Sequence, residues 1–428
     1  MRGRDNQVFK LNTSTMEMAN SYVLTKRMKV ALISLILCIF IPSYNYILNE
    51  ILQLDLGRGS ISGISYLLLA IIGLFSYTFV LRVNRKLMTL MCLVLAGMFV
   101  SYLIYPEIRD AFIDKDYNPL TSSLLYLPLI AFPMMVLTNY LRNHLILLFE
   151  YVRIPSLTLI ILSFFDYYWT VILNGHYFDV NYMSFSYFML PATCLSFAYG
   201  LMRGKILDII AAVAGLLVIL VVGSRGCFVC GVIFIVMASI NRYSLSLDKM
   251  LRIFVVFVTV VIALSYTFTS FSDNVQSFMY EHGASSRTLM KISEGTFEES
   301  GSRDDIYKLM RDAIADNPIG YGLMGDRYIL SQHNNKGYCH SVFYEFLVDY
   351  GVILGPILLL YLIGSLFIKF KKYIKLDIYY ILAFFVVTGF VKLFFSGSYL
   401  GEAYFWGMIG ILMNNNKILS KVSNENQN

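Results

Sequence analysis

Apolar and polar positions are segregated into long blocks along this chain. Apolar runs lie near 28–48, 61–81, 87–105, 120–138, 154–173, 182–201, 206–222, 226–240, 253–271, 352–368, 376–396 and 404–413. Most approach the roughly 20 residues that carry a helix across a ~30 Å hydrocarbon core, although the last is short and the seventh and eighth nearly touch. Lipid offers backbone amides no hydrogen-bond partner, so each run is predicted to be helical. The ten-residue alternation that marks an outer-membrane barrel is missing. The expected fold is an all-α polytopic membrane protein of about twelve transmembrane helices with one large outward-facing loop.

Composition sharpens this. The 428 residues are 57% hydrophobic and 14% charged, whereas an aqueous surface needs roughly a quarter charged residues. A soluble enzyme is excluded. The formal net charge of +6 belongs mostly to cations flanking helices, so no nucleic-acid partner is implied. Residues 1–25 are polar, and the run from Met28 to Leu48 is not followed by a convincing cleavage site, so it reads as a span rather than a signal peptide. Of the six cysteines, Cys38, Cys92, Cys194, Cys227 and Cys230 sit in apolar runs and Cys339 outside them. Cys227 and Cys230 form a CxxC with no second pair or nearby histidine, so packing is expected there rather than a metal or redox centre.

Lys and Arg in the connections set the orientation. With the N-terminus inside, the segments on that side hold 22 of the 34 basic residues, Arg85, Lys86, Arg203, Arg242, Lys369 and Lys372 among them. Both termini are then cytoplasmic. The chain divides into spans one to nine (1–271), a large outward loop (272–339), and an outer amphipathic helix with spans ten to twelve (340–428).

The loop is the one place with room for soluble structure. In its second half Ser302 is a candidate N-cap, with Asp304 and Asp305 favourable in the first turn. Ile306, Leu309, Met310, Ala313 and Ile314 make one apolar face at helical spacing. Asn317-Pro318 ends that helix, and Gly320, Gly322 and Gly325 supply a turn. No inverted repeat of the secondary-transporter kind is visible. Among the 32 tyrosines and 32 phenylalanines, Tyr117, Tyr177 and Tyr399 fall on outer loops as candidates to stack on a sugar face, though nothing singles them out. Asp166 and Lys392 fall inside runs, as charges that either snorkel or serve a function.

Three features at the outer face are candidates for chemistry. Arg225, within Gly223-Ser224-Arg225-Gly226, lies between two apolar runs, where an arginine is costly unless it snorkels or meets an anion. Arg303 opens the loop helix and Arg311 follows two turns on, an arrangement that suits phosphate oxygens or plain solvent. His340 begins an amphipathic stretch containing Glu345 and Asp349, and an imidazole there acts as a base or a helix cap.

The order of these residues carries more than each alone. Arg303, an aromatic four residues later (Tyr307), Pro318 with Gly320 and Gly322, and His340 eleven before Gly351 resemble the signature of the O-antigen ligase and polymerase superfamily. Ser224-Arg225-Gly226 resembles that family's Ser-Arg-Gly, and Arg311 with Gly322 its arginine–ten–glycine spacing. Tyr307 stands where Trp is usual, Ser341 where Asn follows the histidine, and the Pro318–Gly320 turn is one residue tighter. A literal His-Asn at His333 lies eighteen before Gly351, so the family histidine maps to His340.

The resemblance implies a GT-C-like membrane glycosyltransferase of the bacterial inner membrane that needs no cofactor or metal. Its donor would be a glycan on undecaprenyl diphosphate, with a chain-length regulator as an optional partner. His340 would be the catalytic base, Arg225, Arg303 and Arg311 would bind the diphosphate, and Tyr307, Glu345 and Asp349 would support them. Helical spacing places Glu345 on a different face from His340, and Asp349, which matches the family's acidic position, would orient the imidazole instead. A polymerase is the expected function, with a ligase acting on lipid A core and a lipid-linked oligosaccharide flippase as rivals.

Overall fold

The computed structural model describes residues 25–51, 58–82, 85–105, 126–142, 144–166, 182–222, 224–243, 303–333 and 337–413. Among them there is no strand, and the helices are α1 (Lys26–Ile51), α2 (Arg58–Ser76), α3 (Arg85–Ile104), α4 (Phe132–Tyr140), α5 (Leu148–Asp166), α6 (Tyr182–Arg203), α7 (Ile206–Val222) and α8 (Arg225–Tyr243). Then follow α9 (Arg303–Asp316), α10 (Gly325–Gln332), α11 (Val342–Tyr373), α12 (Ile378–Phe385) and α13 (Ala403–Leu412). Among the described residues seven helices are long and apolar enough to cross a membrane, and four further apolar helices are shorter. The expected count of about twelve spans is not confirmed, since α4, α7, α12 and α13 are shorter than a full span. The expected ninth span (253–271), Ser302, Tyr117 and Tyr177 lie outside the described residues.

The exposed surface argues for lipid. Ile353, Leu360 and Phe367 form a stripe on α11 and are 75%, 67% and 70% exposed. Water would not tolerate so long an apolar face, whereas hydrocarbon does. This is a multi-pass membrane protein.

Contacts inside the bundle depend on small residues and shared hydrogen bonds, as expected where lipid removes the hydrophobic drive between helices. Thr138 Oγ1 on α4 donates to Gly407 O on α13 at 2.9 Å, and Asn139 Nδ2 to Gly410 O at 2.8 Å. A side chain at Gly410 would strike Thr138 and the backbone of Met135. Below, Arg153 Nε reaches the buried carboxylate of Asp208 at 3.0 Å, tying α5 to α7. At the same end Asn241 Oδ1 accepts from Lys375 N at 2.6 Å, joining α8 to the turn after α11.

The opposite end carries the loop helices. As the spacing predicts, α9 buries Ile306, Met310 and Ala313 against Ile329, Leu330, Cys339 and Val348. It stops at Asp316, before Asn317-Pro318. The turn that follows docks onto a break in α11 at Gly351, whose φ of 78° and ψ of 174° only glycine adopts readily. Breaking the helix frees backbone groups, and the turn satisfies them. Tyr321 N donates to Val348 O (2.7 Å), Gly322 N to Asp349 O (3.0 Å), and Val352 N to Pro318 O (2.9 Å). The 22 residues beyond the break, 352–373, span about 33 Å.

Candidate active site

α9 presents its N-terminal residue, Arg303, toward His340, which sits in the turn before α11. Arg303 is close enough to act electrostatically on that imidazole, as does the carboxylate of Asp326. His340 has a positive φ of 58°, uncommon for a residue with a side chain and a mark of a position over-determined by its surroundings. Its ring packs on Tyr338 at 4.3 Å between centroids. Nδ1 is buried and has no hydrogen-bond partner. Burial, and after it the positive charge of Arg303, lower the His340 pKa to about 4. The imidazole is neutral at ordinary pH.

The Ser224–Gly226 motif comes to the same place through Tyr187 of α6. The Tyr187 hydroxyl bonds to Ser224 and lies within electrostatic reach of Arg303. Gly226 leaves room for it: a Cβ there would stand 3.0 Å from that hydroxyl. Arg225, half-buried, is the first residue of α8 between these two. The structure thus brings Arg303 near His340 and, through Tyr187, near Ser224, with Arg225 next in the chain.

Arg311 is set apart. It is exposed on α9 and its Nη1 reaches the Tyr344 hydroxyl at 3.4 Å. Tyr307 stacks on the same Tyr344 at 5.0 Å, so the residue that stands where Trp is usual clamps α9 to the start of α11.

The hydrogen bonds of Glu345 and Asp349 go to the 398–399 turn and to α10. Glu345 Oε2 accepts from Tyr399 N at 3.1 Å, and its Oε1 from the Ser398 hydroxyl. Asp349 accepts from Gly325 N at 3.0 Å and from the Tyr399 hydroxyl at 2.8 Å. Both are buried around Arg327, which bonds Asp326 at 3.0 Å and Ser398 at 2.8 Å and lies 3.6 Å from Glu345. Helical spacing turns these two carboxylates away from the imidazole and toward the 398–399 turn. The carboxylate nearer the histidine is Asp326, which also accepts from Cys339 N at 3.1 Å and so fixes the residue before His340.

Sequence reasoning missed Tyr187, Tyr338, Asp326 and Arg327, and left Lys392 undecided. Lys392 lies in a 3₁₀ turn (Val391–Phe394) that follows a π-helical turn (Val386–Phe390) beyond α12. It pairs with Glu402 and sits 4.9 Å over the Tyr187 ring. It does not snorkel. A lysine inside an apolar run demands a partner, and that demand was the available signal for Glu402.

His333, the alternative histidine, closes α10, where its Nδ1 meets Ile329 O at 3.0 Å. Among the described residues no group of three or more His, Cys, Asp or Glu is arranged to hold a metal. A largely apolar cavity of about 540 Å³ runs between α3, α11 and α13, lined by Leu90, Val94, Leu323, Leu362 and Trp406 and reaching Tyr399.

No curated protein and no solved structure matches the chain. Residues 210–362, from α7 through the break in α11, match the family model described as O-antigen ligase, a match that supports membership of this chain in the O-antigen ligase/polymerase superfamily.

Proposed function

We propose that the protein is a polysaccharide polymerase of the bacterial cytoplasmic membrane. It transfers a growing glycan from undecaprenyl diphosphate to the next lipid-linked repeat unit on the outer face. The observation that carries this reading is the convergence of Arg303, His340 and, through Tyr187, the Ser224–Gly226 motif. A neutral imidazole beside guanidinium groups is what a metal-independent transfer from a diphosphate requires.

The reaction is a displacement at the anomeric carbon. An acceptor hydroxyl oxygen forms the new bond, the bond to the diphosphate breaks, and its electron pair stays on the lipid diphosphate. Arg303 and Arg225, with Arg311 further out, stabilise the charge that develops there; each oriented donor contributes on the order of 10²–10³ in rate. The hydroxyl proton passes to His340. An imidazole as acidic as that of the empty site is a weak base. The incoming diphosphate offsets the Arg303 charge and so raises the imidazole toward working pH. The apolar cavity beside Tyr399 suits a polyprenyl chain.

The family match favours one further reading, the ligase, in which lipid A core replaces the lipid-linked acceptor. The chemistry at the donor is the same. Neither the match nor the geometry favours a flippase.

The test is reconstitution of the purified protein with undecaprenyl-diphosphate repeat units, followed by gel analysis. A ladder that disappears with His340→Ala or Arg303→Ala is the expected result. A single transfer onto added lipid A core would make it a ligase, and no covalent product from verified substrate would end the enzymatic reading.

A further inference from the structure

Lys392 is a charge that stability alone does little to explain. Its partner Glu402 caps α13, accepting from Tyr404 N, and both side chains are largely enclosed. A buried ion pair is often no more stable than an apolar pair of similar volume. The backbone around it is irregular as well, with π-helical and 3₁₀ turns replacing α-helix from Val386 to Phe394. Such breaks in an apolar segment are tolerated where they line a cavity or a site.

Its neighbours are the aromatic residues that join the two candidate motifs. The ammonium lies 4.9 Å over the ring of Tyr187, which bonds Ser224 and feels Arg303. Tyr338, whose ring packs on His340, also lies within electrostatic reach of the ammonium. The side chain keeps 18% of its surface exposed, against 9% for Glu402, so the lysine is the more accessible member of the pair.

From this placement we infer that Lys392 is a further diphosphate-binding cation of the site, held ready by Glu402 and the face of Tyr187. This rests on the proposed transfer from a lipid diphosphate. Glu402 stands in for the anion while the site is empty. When the glycosyl bond breaks and its electrons move onto the diphosphate, the ammonium shares its hydrogen bonds with a diphosphate oxygen. No proton need leave it. The lysine belongs to a segment outside the part of the chain that matches the family model, residues 210–362.

The experiment uses the full-length protein in liposomes, with release of undecaprenyl diphosphate as the rate and methylenediphosphonate as a competing probe. Lys392→Met is expected to slow turnover about 10²-fold and to weaken the probe about tenfold, a difference of ~1.4 kcal/mol. Lys392→Arg should restore part of both. Glu402→Gln, which releases the ammonium from its counter-ion, should tighten the probe, an effect that a purely structural pair would not produce. The double variant Lys392→Met/Glu402→Met leaves no orphan charge, so it should fold and remain slow. Recovery of the wild-type rate in the double variant, or unchanged probe affinity in Lys392→Met, would overturn the inference. If the wild type itself yields no product, the polymerase reading has failed instead, and the two failures are told apart in one assay.

Discussion

Arg303 holds the imidazole of His340 below its ordinary range from the first turn of α9, adding to the effect of burial. The two residues belong to separate motifs, and the fold makes them one electrostatic unit. A base must be unprotonated to work, so activity disappears as pH falls through the pKa of the folded protein. For kcat/KM, which reports the free enzyme, that acid limb is expected near pH 4. Removing a neighbouring cation raises a histidine pKa. Arg303→Gln should therefore move the limb to higher pH, while Arg303→Lys should leave it nearly in place. A limb that stays put in Arg303→Gln would break the proposed link.

Gly351 and Gly364 lie on the same helix and should respond in opposite ways to alanine. At Gly351 the added carbon would stand 2.6 Å from Pro318 O, on a backbone with a φ of 78°. Strain of this kind costs about 1–3 kcal/mol before any clash is counted. At Gly364 nothing lies within 4 Å, and Gly→Ala within a helix gains roughly 0.5–1 kcal/mol. Thermal unfolding in detergent should show Gly351→Ala melting lower and Gly364→Ala level or higher. Equal shifts would mean that the docked turn is not what stabilises the break.

Arg327 is surrounded by Asp326, Glu345 and Asp349, all buried. Arg327→Met leaves three enclosed carboxylates without their cation, and breaking a buried ionic arrangement on one side costs about 3–5 kcal/mol. Its yield in the membrane and its melting temperature should both fall. Arg311→Ala, at an exposed position, should change stability by no more than ~1 kcal/mol. A stable Arg327→Met would show that the carboxylates do not need the guanidinium.

His333 caps α10 with its own backbone contact. His333→Ala should stay within ~0.5 kcal/mol of the parent in stability and should still build polymer. Loss of polymer with an intact fold would shift the catalytic assignment away from His340.

Much of this was legible in the chain because helix periods and helix ends are local properties. The apolar face from Ile306 to Ala313 and the stop at Asn317-Pro318 follow from short-range chemistry, and the structure has them. The role of Glu345 and Asp349 was not legible. Both occupy expected places on α11, but their partners, Ser398 and Tyr399, lie some fifty residues downstream. A carboxylate beside a histidine in sequence says little about which donors the fold will offer it. Lys392 shows the same limit: the charge was visible, and Glu402 as its partner was not. Asp326 had no signal beyond being an acid in a glycine-rich turn.

The three backbone hydrogen bonds between the Pro318–Gly322 turn and the interrupted helix have a mechanical meaning. They rivet α9 and α10 to α11, so the wall that bears Arg303 cannot swing outward as a lid without unzipping a membrane helix at its weakest point. The wall that bears Arg303 is thereby a fixed part of the outer end of the bundle.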